Sequence, residues 1–230
     1  MIRPVHPTVL AGPVAPLGAG GPASGIDKRL IAGPWRFSHN GLIGDAQGDL
    51  KHHGGPEKAV HQYPWDHYAS WRVEIGDHPI LGHAGAFGEN LSATDWTEEG
   101  ICIGDVVRFG TALLQVSQGR QPCFKLNLRF GRSDMAVAVQ RTGRTGWYYR
   151  VLEEGEARQG DALVIVDRPR PDWPLLRLIE LLYRNTGDTN GLIGMAALPE
   201  LAEGWRALAN RRLETRQVED WAKRLGLPET

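Results

Sequence analysis

Turn-forming residues cut the first 168 positions into apolar runs too short to be helices, and this punctuation narrows the available folds more than any other feature. In GICIGDVVRFGTALLQVSQ the pairs Gly104-Asp105 and Gly110-Thr111 punctuate two short runs, Val106 to Phe109 and Ala112 to Ser117. A two-residue break of this kind predicts a tight hairpin. RQGDALVIVDRP predicts a further strand from Ala162 to Val166, stopped by Pro169. The repeated pattern of short strands predicts a mainly β fold, a barrel with helical insertions. One such insertion is YPWDHYASWRVEIG, where Pro64 suits a first turn and Tyr68, Trp71 and Arg72 follow at helical spacing, which predicts a helix from Trp65 to Ile75.

The texture changes after DRPRPDWP. Leu175, Leu178, Ile179 and Leu182 recur with helical period behind an expected Asp172 cap and Pro174. Leu201, Trp205 and Leu208 share one face, as do Val218, Trp221, Ala222 and Leu225 before Gly226. The expected organisation is a β-barrel over residues 1–168 and a small helical bundle over 169–230. The net charge of −1 and the bundle's balance of acids and bases argue against nucleic acid as a partner. No apolar run is long enough to span a bilayer, and four prolines break the N-terminal apolar stretch, so the chain reads as the mature sequence of a cytoplasmic protein. The amphipathic C-terminal helices are compatible with a homodimer.

Three clusters carry candidate chemistry. LKHHGGPEKAVHQYP holds His52, His53, Glu57, Lys58 and His61 around a Gly-Gly turn. Gly54, Gly55 and Pro56 interrupt the helix that would align His53, Glu57 and His61 on a zinc ion, whereas the turn's backbone amides beside Lys58 suit an anion or the edge of a heterocycle. In GAFGENLS, Glu89 and Asn90 follow a Gly-rich turn ahead of a short strand. In VSQGRQPCFKLNLRFGR, Cys123 follows a strand end and Pro122, with Arg120 and Lys125 close by. Cys102, between Ile101 and Ile103, sits where a structural cysteine is expected, but Cys123 lies among cations that favour a thiolate, the nucleophilic and metal-binding form. From Gln118 to Arg150 there are seven basic residues, and Asp134 is the sole acid. Residue type alone leaves a reactive or metal-binding Cys123 and a structural one both open.

In this order, SGIDKRL, GLIGDAQGDLKHHGGPEKAVHQYPWDHYASW, GAFGENLS, IGDVVRFGTALLQVSQGRQPCFKL and GRTGWYYRVLEEGEARQGDAL resemble the MOSC domain, the C-terminal type of molybdenum-cofactor sulfurases. They resemble the YiiM family more closely still, whose members carry a C-terminal three-helix domain. The resemblance implies that Cys123 supplies a thiolate to the molybdenum of a molybdopterin cofactor. It also implies that Lys28, His53, Lys58, Asn90, Arg120 and Arg144 line the cofactor site, and that Glu89 or His53 delivers a proton. For Arg144, an exposed arginine in a turn is an equal reading. The implied activity is the two-electron reduction of N-hydroxylated compounds such as 6-N-hydroxylaminopurine, a detoxification, with electrons from a separate flavin or iron–sulfur reductase. The chain's two cysteines are too few for a cluster of its own. A second reading uses the same thiol: a carrier that holds molybdopterin, or sulfur as a persulfide, without turnover.

Overall fold

The computed structural model describes residues 2–48 and 54–228, so His52 and His53 lie outside the described residues. The strands run in chain order as β1 (Thr8–Ala11), β2 (Ala15–Pro16), β3 (Ala23–Ser24), β4 (Arg29–Leu30), β5 (Trp35–Ser38), β6 (Gly41–Leu42), β7 (Val60–Pro64), β8 (Leu91–Ala93), β9 (Val106–Phe109), β10 (Ala112–Gly119), β11 (Trp147–Glu153), β12 (Gly155–Ala157) and β13 (Leu163–Asp167). The helices are α1 (Asp66–Ile75), α2 (Lys125–Phe130), α3 (Met135–Thr142), α4 (Leu175–Tyr183), α5 (Thr189–Ala196), α6 (Glu203–Thr215) and α7 (Ala222–Leu225).

Eight strands form one curled sheet in the order β13-β9-β10-β11-β7-β8-β1-β4. Its two ends approach through Val5, just before β1, which exchanges backbone hydrogen bonds of 3.2 and 2.8 Å with Leu163 of β13. The expected mainly β barrel is therefore present as a half-barrel sheet drawn together at a single bridge. The expected hairpin is present as well. Phe109 pairs with Ala112 across Gly110-Thr111, and Gly110 takes φ +58°, the left-handed conformation such a turn requires. β7 and β8 pair in parallel, and the connection between them contains α1 and the GAFGENLS turn.

The inner face of the sheet packs on a core in which Phe109 meets Trp35 and Phe37 at ring-centroid distances of 6.0 and 5.7 Å. Leu175, Leu178, Leu182, Trp205 and Ala209 of the C-terminal helices belong to this same core cluster. A second core, around Tyr63, Tyr68, Trp71, Phe87, Leu126 and Phe130, fills the space between β7, α1, α2 and α3. All five β7 residues are buried, with Val60 in the first core and Tyr63 in the second.

Some local expectations shift. The N-cap of α4 is Pro174 rather than Asp172, whose carbonyl oxygen instead accepts from Arg177 Nη1 at 2.8 Å. The barrel delays the helix: the Leu175 and Leu176 amides donate to the Ile101 and Glu98 carbonyls, each at 2.8 Å, so the barrel satisfies donors that a helix start leaves open. The expected last helix shrinks to α7, and Val218 is exposed ahead of it. α5 carried no clear sequence signal because Gly191 and Gly194 weaken helical propensity. A Cβ at those positions would approach Leu181 and Trp173 side-chain atoms to 2.3 and 2.6 Å, so close packing selects glycine there. Phe109→Ala is expected to cost about 3–5 kcal/mol, read as a lower urea midpoint, because it empties the centre of the first core.

Candidate functional site

The β10–β11 ladder sets the position of the thiol. β10 contains a register irregularity between Val116 and Gln118, where Ser117 Oγ donates to the Glu57 carbonyl at 2.7 Å. The strand ends at Gly119, which pairs with Trp147, and the Arg120 amide still donates to the Gly146 carbonyl at 3.0 Å. Pro122 and Cys123 then leave the sheet and lead into α2, placing Cys123 in the wall of a narrow cavity of about 80 Å³. Tyr148 of β11, Lys28, Lys58, His61, Asn90, Arg120 and Lys125 share that wall. All of its charged residues are cationic; among the described residues no carboxylate lines it. A larger cavity of about 780 Å³ adjoins it and shares Gly48, Lys58, Cys123, Lys125 and Tyr148.

Buried polar contacts hold this arrangement. Lys28 forms an ion pair with Asp45, both side chains being almost fully buried. Asp45 also accepts from the Gly12 amide at 3.0 Å and from Asn90 Nδ2 at 2.9 Å. Burial pushes the Lys28 ammonium's pKa down, and the Asp45 charge opposes that shift. Asn90 Oδ1 accepts from the His61 amide at 3.0 Å, so one side chain ties β7 to the Lys28–Asp45 pair. His61 is buried, its ring centroid 4.9 Å from that of Tyr148. Desolvation, helped by the charges of Arg120 and Lys28, holds its pKa well below the ordinary histidine value, so the ring is neutral. Among the described residues, two buried atoms in this wall have no hydrogen-bond partner: His61 Nε2 and Arg120 Nη1.

The structure brings Lys28, Lys58, Asn90, Arg120 and Cys123 together in the wall of the narrow cavity. It places Glu89 and Arg144 elsewhere. Glu89 is fully buried and accepts from Tyr68 Oη at 2.5 Å, the Gly85 amide at 2.8 Å and the Phe87 amide at 3.1 Å. Burial raises its pKa, with the Tyr68 hydrogen bond opposing, and the carboxyl holds its own turn without reaching the cavity wall. Arg144 pairs with Glu74 at 2.9 Å and lies 4.7 Å over the Trp71 ring, outside both cavities. Glu57 turns to Arg150, with a 3.0 Å contact from Nε. Cys102 is buried with Sγ 3.6 Å from the Pro171 carbonyl oxygen, and burial raises its thiol pKa, as a structural cysteine's would be. Asp45, His61, Lys125 and Tyr148 are site residues that sequence reasoning did not assign. His61 was considered only as a zinc ligand, and the alternation of β7, which turns it to the same face as Tyr63, was the signal available.

A MOSC domain model matches residues 49–164, and a YiiM-like 3-alpha helix domain model matches residues 173–216. Protein YiiM of Escherichia coli is 36% identical over 205 residues, covering 89% of this chain and 91% of that protein. The chain belongs to the MOSC-domain proteins of the YiiM family. The crystal structure of YiiM from Escherichia coli superposes with a TM-score of 0.83 at 30% identity, covering 97% of this chain and 98% of that one. A Gibberella moniliformis protein named "Reductase" is 39% identical over 193 residues, covering 84% of this chain, which spans only 34% of the fungal protein. Among the described residues no helix is long and apolar enough to cross a membrane, and no group of three or more His, Cys, Asp or Glu side chains stands ready for a metal ion.

His61 yields a pH prediction. Its folded-state pKa is depressed, so below about 6.5 the unfolded chain takes up a proton that the folded one refuses. Stability is then flat with respect to this group above about pH 6.5 and falls as pH drops below it. His61→Gln is expected to remove that slope, measured as urea midpoints at about pH 5.5 and about pH 7.5. The raised pKa of Glu89 gives a slope of opposite sign in both proteins and cancels in the comparison.

Proposed function

We propose that the Cys123 cavity holds a molybdenum cofactor and that the protein reduces N-hydroxylated compounds to amines, with electrons from a separate flavin or iron–sulfur reductase. The observation that carries this reading is a thiol in a cavity whose charged lining is entirely cationic. The donor chemistry fits the group. A thiolate suits a soft, redox-active metal, and Lys28, Lys58, Arg120 and Lys125 suit an anionic pterin phosphate. Among the described residues Arg120 Nη1 and His61 Nε2 have no hydrogen-bond partner, and a polar ligand would satisfy them.

In this mechanism Cys123 Sγ ligates the metal, and Lys28, Lys58, Arg120 and Lys125 hold the anionic part of the cofactor. Asn90, anchored to the His61 backbone and Asp45, keeps Lys28 in register with the wall. When bound, the cofactor supplies the two-electron chemistry by which R–NHOH, two electrons and two protons become R–NH2 and water. His61, held neutral by burial and the neighbouring cations, presents a hydrogen-bonding ring to the cavity without taking on charge. Glu89 acts one step away, by fixing the turn that carries Asn90. His53 enters the proposal on the family resemblance alone. The adjoining larger cavity gives room beside the thiol for the pterin of the cofactor and for a substrate. The name of the fungal relative, of which this chain spans 34%, agrees with a reductive activity.

Protein purified from a host that makes the cofactor is expected to carry close to one molybdenum per chain and to reduce benzamidoxime or hydroxylaminopurine with an artificial electron donor. Cys123→Ser is expected to lower turnover by about 100-fold. Full activity in Cys123→Ser would remove the ligand assignment. Bound molybdenum with no turnover on either substrate would leave the carrier reading in its place.

A further inference from the structure

The loop that bears Cys123 is gripped from the far end of the chain. Arg224, in α7, donates from Nη1 to the Pro122 carbonyl oxygen and from Nη2 to Gln140 Oε1 at 2.7 Å. Its own carbonyl oxygen accepts from the Phe124 amide at 2.7 Å. The main chain is thus tied down immediately before and immediately after the thiol. One residue further on, the Leu225 carbonyl accepts from Asn127 Nδ2 at 2.9 Å. Gly226 ends the helix at φ +73°, so close beneath the loop that a Cβ there would stand 2.8 Å from the Phe124 Cβ. The guanidinium lies 5.7 Å from the centre of the Tyr183 ring, and Arg224 lines the larger cavity.

We infer that Arg224 is a positioning residue for Cys123: from the last helix it fixes the loop that sets the thiol at the border of the two cavities, which makes α7 part of the site. The match to the YiiM-like helical domain ends at residue 216, before this helix begins. A planar guanidinium fork can satisfy two acceptors in fixed directions at once, and a lysine ammonium at the end of a flexible stem cannot reproduce that geometry. The placement matters because a working group displaced by about 1 Å can lose about 100-fold in rate. The inference rests on Cys123 being the working group of the proposed reductase, but the contacts that carry it are independent of any cofactor.

The test therefore uses readouts that need no metal. In the full chain with Cys102→Ala, Cys123 is the sole thiol. The rate of its modification by N-ethylmaleimide at fixed pH is followed by intact mass, and amide exchange across residues 121–127 by hydrogen–deuterium exchange. Arg224→Ala is expected to speed both about tenfold, equivalent to about 1.4 kcal/mol lost from loop closure, with the acceleration confined to that loop. Arg224→Lys is expected to restore part of the protection. Gly226→Ala, which keeps the guanidinium but forces a side chain against Phe124, is expected to loosen the same loop. Unchanged rates in folded variants would overturn the inference. So would acceleration spread evenly through α4 to α6, since Arg224 would then merely support the helices. Where Arg224→Ala does not fold, the lysine and Gly226→Ala variants decide by the same criteria. A protein without reductase activity that still shows the localised loosening would sink the proposed function and leave this positioning role intact.

Discussion

The pairing of β10 with β11 is the constraint on which the site depends. β10 is the longest strand, and its register with β11 runs from Leu113↔Glu153 to Gly119↔Trp147. Where the ladder ends, Arg120 and Cys123 leave one strand while Tyr148 projects from the other, so all three reach the same cavity without a dedicated scaffold. Gly119 allows this end of the sheet to pass under α6: a Cβ there would stand 3.1 Å from the Trp205 ring. A one-residue slip in the ladder would turn every side chain along the strand to its other face.

The second constraint is electrostatic. Burying Lys28, Arg120 and Lys125 around one small space is costly unless each charge finds a partner. Lys28 has Asp45, and Lys125 Nζ donates to the Ala23 carbonyl at 3.3 Å. Among the described residues Arg120 retains one buried nitrogen without a partner, and beside it the histidine is held neutral. The proposed anionic cofactor would offset this concentration of buried positive charge. Two acids beside the narrow cavity, Asp45 and Glu89, are taken up by contacts that shape its wall, and among the described residues that line it the charged ones are all cationic.

Barrel and helices are joined more closely than the change of texture near residue 170 implies. Leu175 and Trp205 share a core with Phe109 and Trp147. The first turn of α4 takes its acceptors from the barrel, while α7 returns its carbonyls to Phe124 and Asn127. In each case backbone groups that a short helix leaves open are satisfied by the neighbouring layer, which lets helices of four to nine residues stand at defined angles to the sheet.

The sequence by itself determined the strands with strong turn punctuation, the face of α4, the helix α1 and the setting of Cys123 among Arg120 and Lys125. These were legible because their signals are local: a Gly-Thr hairpin, a helical period, a thiol among cations. Lys28 and Asn90, which share the cavity wall, stand out only through the family resemblance. Glu89 and Arg144 belong to the same motifs, yet tertiary structure decided their roles. A carboxylate three residues from another group can turn inward to its own backbone amides, and an arginine can stack on Trp71, and only packing settles which happens. Asp45, His61, Tyr148 and Arg224 were illegible for the opposite reason. Each is ordinary in its own segment and gains its role from partners 17 to 102 positions away along the chain. Local chemistry specified the elements and the thiol; the long-range closure of the sheet, and the helices packed against it, specified what surrounds that thiol.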